Sequence, residues 1–348
     1  MDPDDDALPE GALAPWWFDL PDARIAREAV EPRDAARLLV MGDDIAHAHV
    51  RDLPDWLRAG DLVVVNDVRV RRARIPAHRA SGGRVEVLLV RDDEALCRPS
   101  RRLRVGEKLG VEGVEAGAVT LVEPLGEGRW RVRCEPDADT LAERAGSVPL
   151  PPYFGRDATE ADAVRYQTVY ARRGSLAAAA APTAGLHFTP ELLARLDAKG
   201  VARAHVTLEV GLGTFKPLTG AQLERGVLHE ERYDMPEATW RAIESCRARG
   251  GRVVAIGTTT ARVLESATGP GAASTSIFLR HRDDFRVVDV LFTNFHLPAS
   301  SLLMLVTAFG GHARVMGAYL RAVDEGYRFY SYGDACLVFR DARPVEPD

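Results

Sequence analysis

Two loop-like segments of the chain each carry a histidine that could move protons. His187 lies in APTAGLHFT and His296 in FTNFHLP, and glycine or proline shapes both segments. An imidazole exchanges protons near neutral pH, so either side chain is a candidate for proton transfer. A lone loop histidine is more often structural, and that alternative stays open. Gly185 and Asn294 occupy the same two segments, where open α/β sheets bind ligands, and are candidate ligand contacts.

The segment AIGTTTAR is typical of a turn between a strand and a helix that binds an anion. Gly257 permits the tight turn, and three threonines follow with hydroxyl and backbone N–H groups at the helix N-terminus. Such a terminus favours a phosphate or a carboxylate, and Arg262 could add a bidentate clamp. An ordinary strand–helix turn with a threonine cap is the alternative. The candidate contacts are Gly257, Thr258, Thr259, Thr260 and Arg262.

Two further segments hold candidate acid–base groups. His229 stands in HEERYD beside two glutamates, where a solvated charge cluster is the default interpretation. Asp334 follows a glycine turn in YRFYSYGDACLV, an aromatic-rich run that predicts either a core strand or a surface for stacking a base. EVGLGTFKPL has Gly211 and Gly213 but carries Lys216 where the dinucleotide-binding pattern needs its third glycine, so a dinucleotide site is only weakly supported.

The elements that must position these residues fall into two groups. Residues 16–68 and 151–348 alternate strand-like and helix-like segments, which predicts a discontinuous α/β catalytic domain. Residues 69–150 hold short β-like runs between turn residues, which predicts an inserted small β-barrel. Residues 1–15 are acidic and rich in proline and glycine, and we expect a disordered tail. The run GDLVVVND (60–67) predicts a buried strand of the α/β part.

The net charge of the chain conceals a basic segment. The 348 residues sum to −6 at pH 7, yet the stretch 69–104 holds eleven arginines and four acidic residues, a local balance of +7. A basic β module suits the phosphate backbone of a nucleic acid. Arginines on solvated strand faces are the alternative. The candidate nucleic-acid contacts are Arg69, Arg71, Arg72, Arg74, Arg101 and Arg102.

Composition and termini exclude several classes of protein. Hydrophobic residues make up 46% and charged residues 28%, as in globular proteins. Four well-separated cysteines without a CxxC pair argue against a zinc site or a disulfide framework. The acidic N-terminus lacks the features of a secretory signal, and no apolar run reaches the ~18 residues of a membrane helix. We expect a cytoplasmic protein without membrane contact.

Taken together, the motifs resemble one family. The matching segments run in order from about residue 16 to residue 339, and their combination is specific although each alone is weak. The chain resembles the S-adenosylmethionine:tRNA ribosyltransferase-isomerase family in FDLPDARIAREAVEPRDAARLLV, GDLVVVNDVRVRRARI, GGRVEVLLV, PLPPYFGR, RYQTVYA, APTAGLHFT, HVTLEVGLGTF, VVAIGTTTARVLES, FTNFHLPASSLLMLVTAFGG and YRFYSYGDACLV.

The resemblance implies a reaction of queuosine biosynthesis. The ribosyl moiety of S-adenosylmethionine would be transferred to the 7-aminomethyl-7-deazaguanine base at the tRNA wobble position and isomerised. Epoxyqueuosine-tRNA would form, with release of adenine and methionine. The resemblance also implies an α/β domain with an inserted β-barrel, and S-adenosylmethionine as co-substrate without a metal. We expect a monomer.

This chemistry sets requirements for the site. A base must remove the C5′ proton that the sulfonium acidifies, and the departing adenine needs an acid or a hydrogen-bond donor. The methionine carboxylate needs an anion site, and the wobble base must be extruded into a pocket. By motif position, residues 258–260 and Arg262 would contact S-adenosylmethionine. The candidates for proton transfer are His187, His296, Asp334 and His229.

The chain departs from the family pattern at two notable positions. The family usually has histidine where Glu209 and Gly226 stand. Two alternatives therefore stay open: a divergent paralogue that uses S-adenosylmethionine or a related nucleoside on another acceptor, and a noncatalytic RNA-binding protein of the same fold. The retained GTTTAR, TAGLHF and TNFHLP segments argue against the noncatalytic protein, because a pure binder has little need of them.

Overall fold

A computed structural model of the chain describes residues 8–9, 11–172, 177–178, 180–211 and 218–340. Most of the predicted acidic tail lies outside the described residues, as do Gly213 and Lys216 of the glycine-rich segment.

Strands follow one another directly through residues 69–135, whereas strands and helices mostly alternate after residue 177. The strands are β1 (Arg37–Met41), β2 (Ile45–His49), β3 (Leu62–Asn66), β4 (Arg69–Val70), β5 (Arg74–His78), β6 (Arg84–Arg91), β7 (Glu94–Arg98), β8 (Lys108–Val111), β9 (Ala118–Gly126), β10 (Arg129–Glu135), β11 (Ala177–Ala178), β12 (Ala202–Leu208), β13 (Val227–Met235), β14 (Val253–Ile256), β15 (Gly271–Ile277), β16 (Val290–Asn294) and β17 (Ala335–Phe339). The helices are α1 (Leu53–Trp56), α2 (Ala138–Ala145), α3 (Glu160–Arg165), α4 (Pro190–Ala198), α5 (Gly220–Arg225), α6 (Glu237–Ala248), α7 (Thr258–Ser266), α8 (Ser301–Gly310) and α9 (His312–Asp324).

Within the described ranges, nine strands form one mixed sheet in the order β15-β13-β12-β3-β14-β16-β17-β1-β2. Strand β3 lies at its centre, parallel to β12 and β14, and β14 is in turn parallel to β16. Each residue of β3 is buried, because helices cover both faces of a parallel sheet centre and leave no polar face. The prediction of a buried strand within residues 60–67 is confirmed.

The segment between β4 and α3 folds into a separate β structure. Six antiparallel strands close into a barrel in the order β10-β7-β6-β5-β8-β9. Alternate side chains point inwards and fill the barrel, as expected when six short strands close on themselves. This interior includes Ile75, Val87, Leu109, Leu121 and Trp130. The predicted fold class, an α/β main part with an inserted small β-barrel, is confirmed.

Two buried carboxylates tie distant parts of the α/β sheet region together. Asp61, fully buried before β3, accepts hydrogen bonds from the Arg252 side chain at 2.6 Å (Nη2) and from the Arg252 backbone N–H at 3.0 Å. Burial alone would raise the pKa of Asp61, but these hydrogen bonds and one from the Arg58 backbone lower it overall. Glu265 of α7 accepts hydrogen bonds from the backbone N–H groups of residues 286–288 at 2.7 to 3.1 Å. Both carboxylates fix chain segments that border the sheet.

No helix in these described ranges has the length and apolar character needed to cross a membrane. The same ranges hold no group of three or more His, Cys, Asp or Glu side chains arranged to bind a metal ion. The four cysteines are free thiols, in agreement with their wide spacing in the sequence.

Candidate functional site

Three of the sequence motifs meet where β14 and β16 end. Gly257, directly after β14, donates its backbone N–H to the carbonyl of Phe292 in β16 at 2.7 Å. Asn294 is the last residue of β16, and its side-chain Nδ2 lies 3.0 Å from Nε2 of His187. The same Nδ2 donates to the Tyr330 carbonyl at 3.1 Å. The carboxyl edge of two parallel strands therefore gathers the GTTTAR, TAGLH and TNFH segments, as the sequence predicts.

Two glycines in these motifs have steric reasons to be glycine. A Cβ on Gly185 would lie 2.0 Å from the Tyr170 hydroxyl oxygen, far inside contact distance. Gly257 has φ of +91°, a conformation that residues with a side chain rarely adopt. The loop carrying His187 can therefore approach Tyr170 closely, and α7 can begin immediately after its strand. The structure assigns both glycines a shaping role, and their contact with a ligand stays a prediction.

His187 is a buried neutral imidazole. Burial lowers its pKa to about 4, assisted by the positive charges of Arg328 and Arg33. Because the Asn294 amide nitrogen also donates to the Tyr330 carbonyl, it acts as the donor to His187, and Nε2 carries the lone pair. The hydrogen bond between the ring and the Arg33 backbone then involves Nδ1–H. His187 thus has a defined tautomer that could accept a proton at Nε2.

His296 occupies a second buried position, two residues after Asn294. Its Nε2 lies 2.9 Å from the Thr293 hydroxyl oxygen, and its backbone N–H donates to the Tyr319 hydroxyl oxygen at 3.3 Å. Burial lowers the pKa of His296 to about 3. Like His187, it is neutral at physiological pH, but it does not line the cavity described below.

The Asp334 carboxylate is occupied by backbone donors. One oxygen accepts from the Arg37 N–H at 2.9 Å and the other from the Arg328 N–H at 2.8 Å. Asp334 therefore holds the start of β1 against the turn that precedes β17. This geometry favours a positioning role, and proton transfer by Asp334 stays a prediction that rests on the motif alone.

His229 lies apart from the three joined motifs. It is an exposed residue of β13, two positions before the buried Glu231. Glu231 forms an ion pair with Nη1 of Arg262 on α7 and accepts a hydrogen bond from the Gly211 N–H at 3.1 Å. Strand β13 therefore connects the HEERYD segment to the GTTTAR segment through Glu231, while His229 itself stays near the surface.

The N-terminus of α7 holds polar groups that the described chain leaves unused. Thr260 donates its hydroxyl to the Ile256 carbonyl at 2.7 Å and serves the helix itself. The buried Thr259 hydroxyl and the Nε and Nη2 groups of Arg262 have no hydrogen-bond partner among the described residues. An anion placed here would satisfy donors that are costly to leave buried and unpaired. Among the described residues, only Nη1 of the Arg262 guanidinium has a partner, the Glu231 carboxylate.

A small cavity opens beside His187 and includes residues that sequence reasoning missed. Its charged lining residues are Arg33 and Arg165, which come from segments more than 120 residues apart in the chain. They lie within EPRDA and RYQTVYA, two segments that resemble the family. This resemblance could have marked both arginines as candidate site residues. The lining comprises Ala29, Val30, Arg33, Ala36, Arg165, Leu186, His187, Ser331, Tyr332 and Gly333.

The arginines predicted to bind nucleic acid divide into three groups. Arg71 pairs with Asp92 at 2.6 Å and also with Asp139, Arg72 pairs with Glu160, and Arg74 pairs with Glu86. Arg101 and Arg102 are exposed and have no acidic partner among the described residues. Arg69 is half-buried in β4, which pairs with β11. Asp92 and Glu86 are already counted in the +7 balance, so among these partners only Asp139 and Glu160, outside the stretch 69–104, reduce it further.

Both positions that depart from the family pattern have a local explanation. Glu209 accepts a hydrogen bond from Nε of Arg232 at 2.7 Å, and Nε of Arg91 on the barrel lies 3.8 Å away. Gly226 ends α5 with φ of +67°, and Arg280 packs against it. A histidine at 226 would meet strain and the Arg280 guanidinium.

Comparison with known proteins gives one consistent result. The family model described as "Queuosine biosynthesis protein" matches residues 13–338. S-adenosylmethionine:tRNA ribosyltransferase-isomerases from Gloeobacter violaceus and Anaeromyxobacter dehalogenans are 49% and 48% identical, over 93% and 94% of this chain and 95% and 99% of their own. A crystal structure of S-adenosylmethionine tRNA ribosyltransferase from Thermotoga maritima is 34% identical, with a TM-score of 0.54 over 93% of this chain and all of its own. The chain therefore belongs to the queuosine biosynthesis protein family.

Proposed function

We propose that the chain transfers and isomerises the ribosyl moiety of S-adenosylmethionine onto 7-aminomethyl-7-deazaguanine in tRNA, giving epoxyqueuosine-tRNA. The observation that carries this proposal is the near-complete coverage of relatives that bear this activity in their names. The gathering of the GTTTAR, TAGLH and TNFH motifs at one sheet edge supports it. A tRNA substrate puts the reaction in the cytoplasm.

The donors at the start of α7 suit the methionine carboxylate of S-adenosylmethionine. Thr259 and Arg262 supply buried N–H and O–H groups that lack a partner among the described residues, and the helix dipole adds to the attraction. Thr258, Thr260 and Gly257 shape the same turn. We therefore place the co-substrate along α7, close to Asn294 and Gly185.

The proton that leaves C5′ needs a neutral acceptor. His187 is neutral at pH 7 and keeps its Nε2 lone pair towards Asn294, so a small rotation of the amide would free it. His296 is the second candidate. His229 and Asp334 remain candidates by motif position. One of these four residues is proposed to donate a proton to the leaving adenine.

The barrel, residues 69–150, is proposed as a domain that docks the tRNA near its wobble position. Its core is separate from the cores of the sheet, which supports this division. Arg101 and Arg102 are the exposed cations best able to exchange counterions for phosphates, whereas Arg71, Arg72 and Arg74 must first leave acidic partners. The protein is proposed to act as a monomer and to need no metal.

The deciding assay incubates the protein with labelled S-adenosylmethionine and tRNA carrying the aminomethyl precursor. Release of adenine together with modified tRNA is expected. Absence of adenine release despite co-substrate binding would refute the proposal. Arg262→Gln should raise the KM for S-adenosylmethionine about tenfold or more, because it removes charged donors. Arg241→Gln on the exposed face of α6 is the matched control.

The candidate residues are tested one at a time. His187→Asn and His296→Asn should each abolish turnover while folding is retained, and full activity in either variant would remove that histidine from the site. Exchange of Arg101 and Arg102 for glutamine should weaken tRNA binding and lower the salt dependence by about one unit per arginine. A flat salt dependence in the wild type would dismiss the barrel as the docking surface.

One observation favours a second candidate function. Glu209, which pairs with Arg232, stands where the family usually carries a histidine beside the predicted site. A divergent paralogue acting on another acceptor would release adenine only with that acceptor. Adenine release with bulk tRNA lacking the aminomethyl precursor, and none with the precursor, would support the paralogue.

A further inference from the structure

The cavity beside His187 carries more positive charge than its described surroundings neutralise. Arg33 lines it and has no carboxylate within ion-pair distance among the described residues. Its Nη1 and Nη2 groups instead donate to the backbone carbonyls of Gln167 and Val164, at 2.6 and 2.9 Å. Arg33 is half-buried, and this desolvation lowers its pKa. Backbone carbonyls orient this guanidinium but do not cancel its charge.

A second guanidinium faces the same cavity. Arg165 pairs through Nη2 with Glu31, which is largely exposed, while its Nη1 is buried without a hydrogen-bond partner among the described residues. An unpaired buried N–H of a charged group is costly. This donor is therefore available to a ligand without breaking an existing contact.

A third guanidinium lies near His187 but outside the residues that line the cavity. Arg328 donates through Nη1 to the Glu28 carbonyl at 3.3 Å, and its Nη2 lies 3.7 Å from Asp334. That Nη2 is buried and lacks a hydrogen-bond partner among the described residues, since both Asp334 oxygens already accept backbone N–H groups. Around the neutral His187, the guanidiniums of Arg33, Arg165 and Arg328 outnumber their two carboxylate neighbours, Glu31 and Asp334.

We propose that this cavity is an oxyanion subsite, in which Arg33 and Arg165 bind a carboxylate or phosphate group of a substrate. The excess charge, the unused Nη1 donor and the neutral imidazole beside it all suit an anion and disfavour a cation. This inference rests on the proposed function, which offers two sources of an oxyanion: a phosphate of the tRNA, or the methionine carboxylate of S-adenosylmethionine bound here instead of at the start of α7. The subsite is distinct from the donors at the start of α7.

Direct binding measurements separate the two sources. The first arm compares the Kd of S-adenosylmethionine with that of decarboxylated S-adenosylmethionine for wild type and Arg165→Gln. If the carboxylate enters the cavity, the preference of the wild type for the carboxylated compound falls about tenfold or more in the variant. The second arm measures tRNA affinity against salt, where loss of one phosphate contact lowers the slope by about one.

Each outcome decides the proposal. A change in the first arm identifies the carboxylate, and a change in the second identifies a phosphate. If Arg165→Gln matches the wild type in both arms, the subsite does not exist. Because both arms measure binding, the proposed reaction can fail in the adenine-release assay while the subsite stands, and the reverse also holds.

Two further variants, Arg33→Gln and Arg27→Gln, complete the binding experiment. Arg33→Gln should show the same change as Arg165→Gln, but Arg33 also holds the segment 164–167, so urea unfolding must accompany it. Arg165→Gln keeps the test valid if Arg33→Gln fails to fold, because the only ion pair it loses is the partly exposed one with Glu31. Arg27→Gln, which breaks an exposed pair with Asp22 close by in the chain, is the matched control and should leave both arms unchanged.

Discussion

Acidification should destabilise the protein through its two buried loop histidines. Burial lowers the pKa of His187 to about 4 and that of His296 to about 3, whereas an unfolded histidine titrates near ~6.5. As the pH falls below 6.5, the unfolded state takes up protons that the folded state refuses, so stability present above pH 6.5 is progressively lost. At pH 5 each histidine lowers the free energy of unfolding by about 2 kcal/mol relative to its value well above pH 6.5. The figure is ~1.5 pH units multiplied by ~1.4 kcal/mol per unit.

The size of this effect is set by the pKa of histidine in the unfolded state, because at pH 5 both native histidines are still neutral. The two histidines together should lower the free energy of unfolding by about 4 kcal/mol between pH 8 and pH 5, beyond any contribution of other groups. That is a large share of a typical stability of roughly 5–15 kcal/mol.

The assay is urea unfolding at pH 8, 6.5 and 5 for wild type, His187→Asn and His296→Asn. Each variant should lose about 2 kcal/mol of the pH dependence, whatever its absolute stability. His78→Asn, at an exposed position on the barrel, is the control and should keep the wild-type pH dependence. A His296→Asn variant with unchanged pH dependence would refute the argument that burial keeps this imidazole neutral.

Two further predictions concern the buried carboxylates. Glu265→Gln should lower the free energy of unfolding by about 2–3 kcal/mol, since the amide turns N–H groups towards the backbone N–H donors of residues 286–288; an unchanged urea midpoint would contradict this. Asp61→Asn should cost about 3 kcal/mol or more, because it leaves the Arg252 charge without its partner; the exposed-pair variant Arg241→Gln should change the same urea midpoint by under about 0.5 kcal/mol.

Helix caps and strand alternation could be predicted from the sequence, because they depend on interactions between residues a few positions apart. Thr189 accepts a hydrogen bond from the Leu192 N–H at the start of α4, as a threonine before a proline-led helix indicates. Ser300 caps α8 in the same way, accepting a hydrogen bond from the Leu303 N–H. The alternation of buried and half-buried residues along β12 follows the period of two in HVTL. The order of the nine strands, by contrast, depends on pairings that no local pattern encodes.

The candidate site was only half visible from the sequence. Motifs shaped by glycine and proline marked the loops of His187 and Asn294, and those loops do meet. Arg33 and Arg165 carried no signal beyond the family-like segments around them, because an isolated arginine looks the same whether it reaches solvent or a cavity formed by distant segments. The same limit applied to the barrel, where the partner of Arg72 is Glu160, far outside the basic stretch.

The contacts of Glu209 with Arg232 and Arg91 restrict which substitutions these three positions tolerate during evolution. One carboxylate faces two guanidiniums, one from the sheet and one from the barrel. Substitution of Glu209 by histidine alone would leave both guanidiniums facing an imidazole, so the family's usual residue is not freely accessible here. The three positions are therefore epistatic, and an ancestor or relative with histidine at 209 should carry uncharged or acidic residues at 232 and 91.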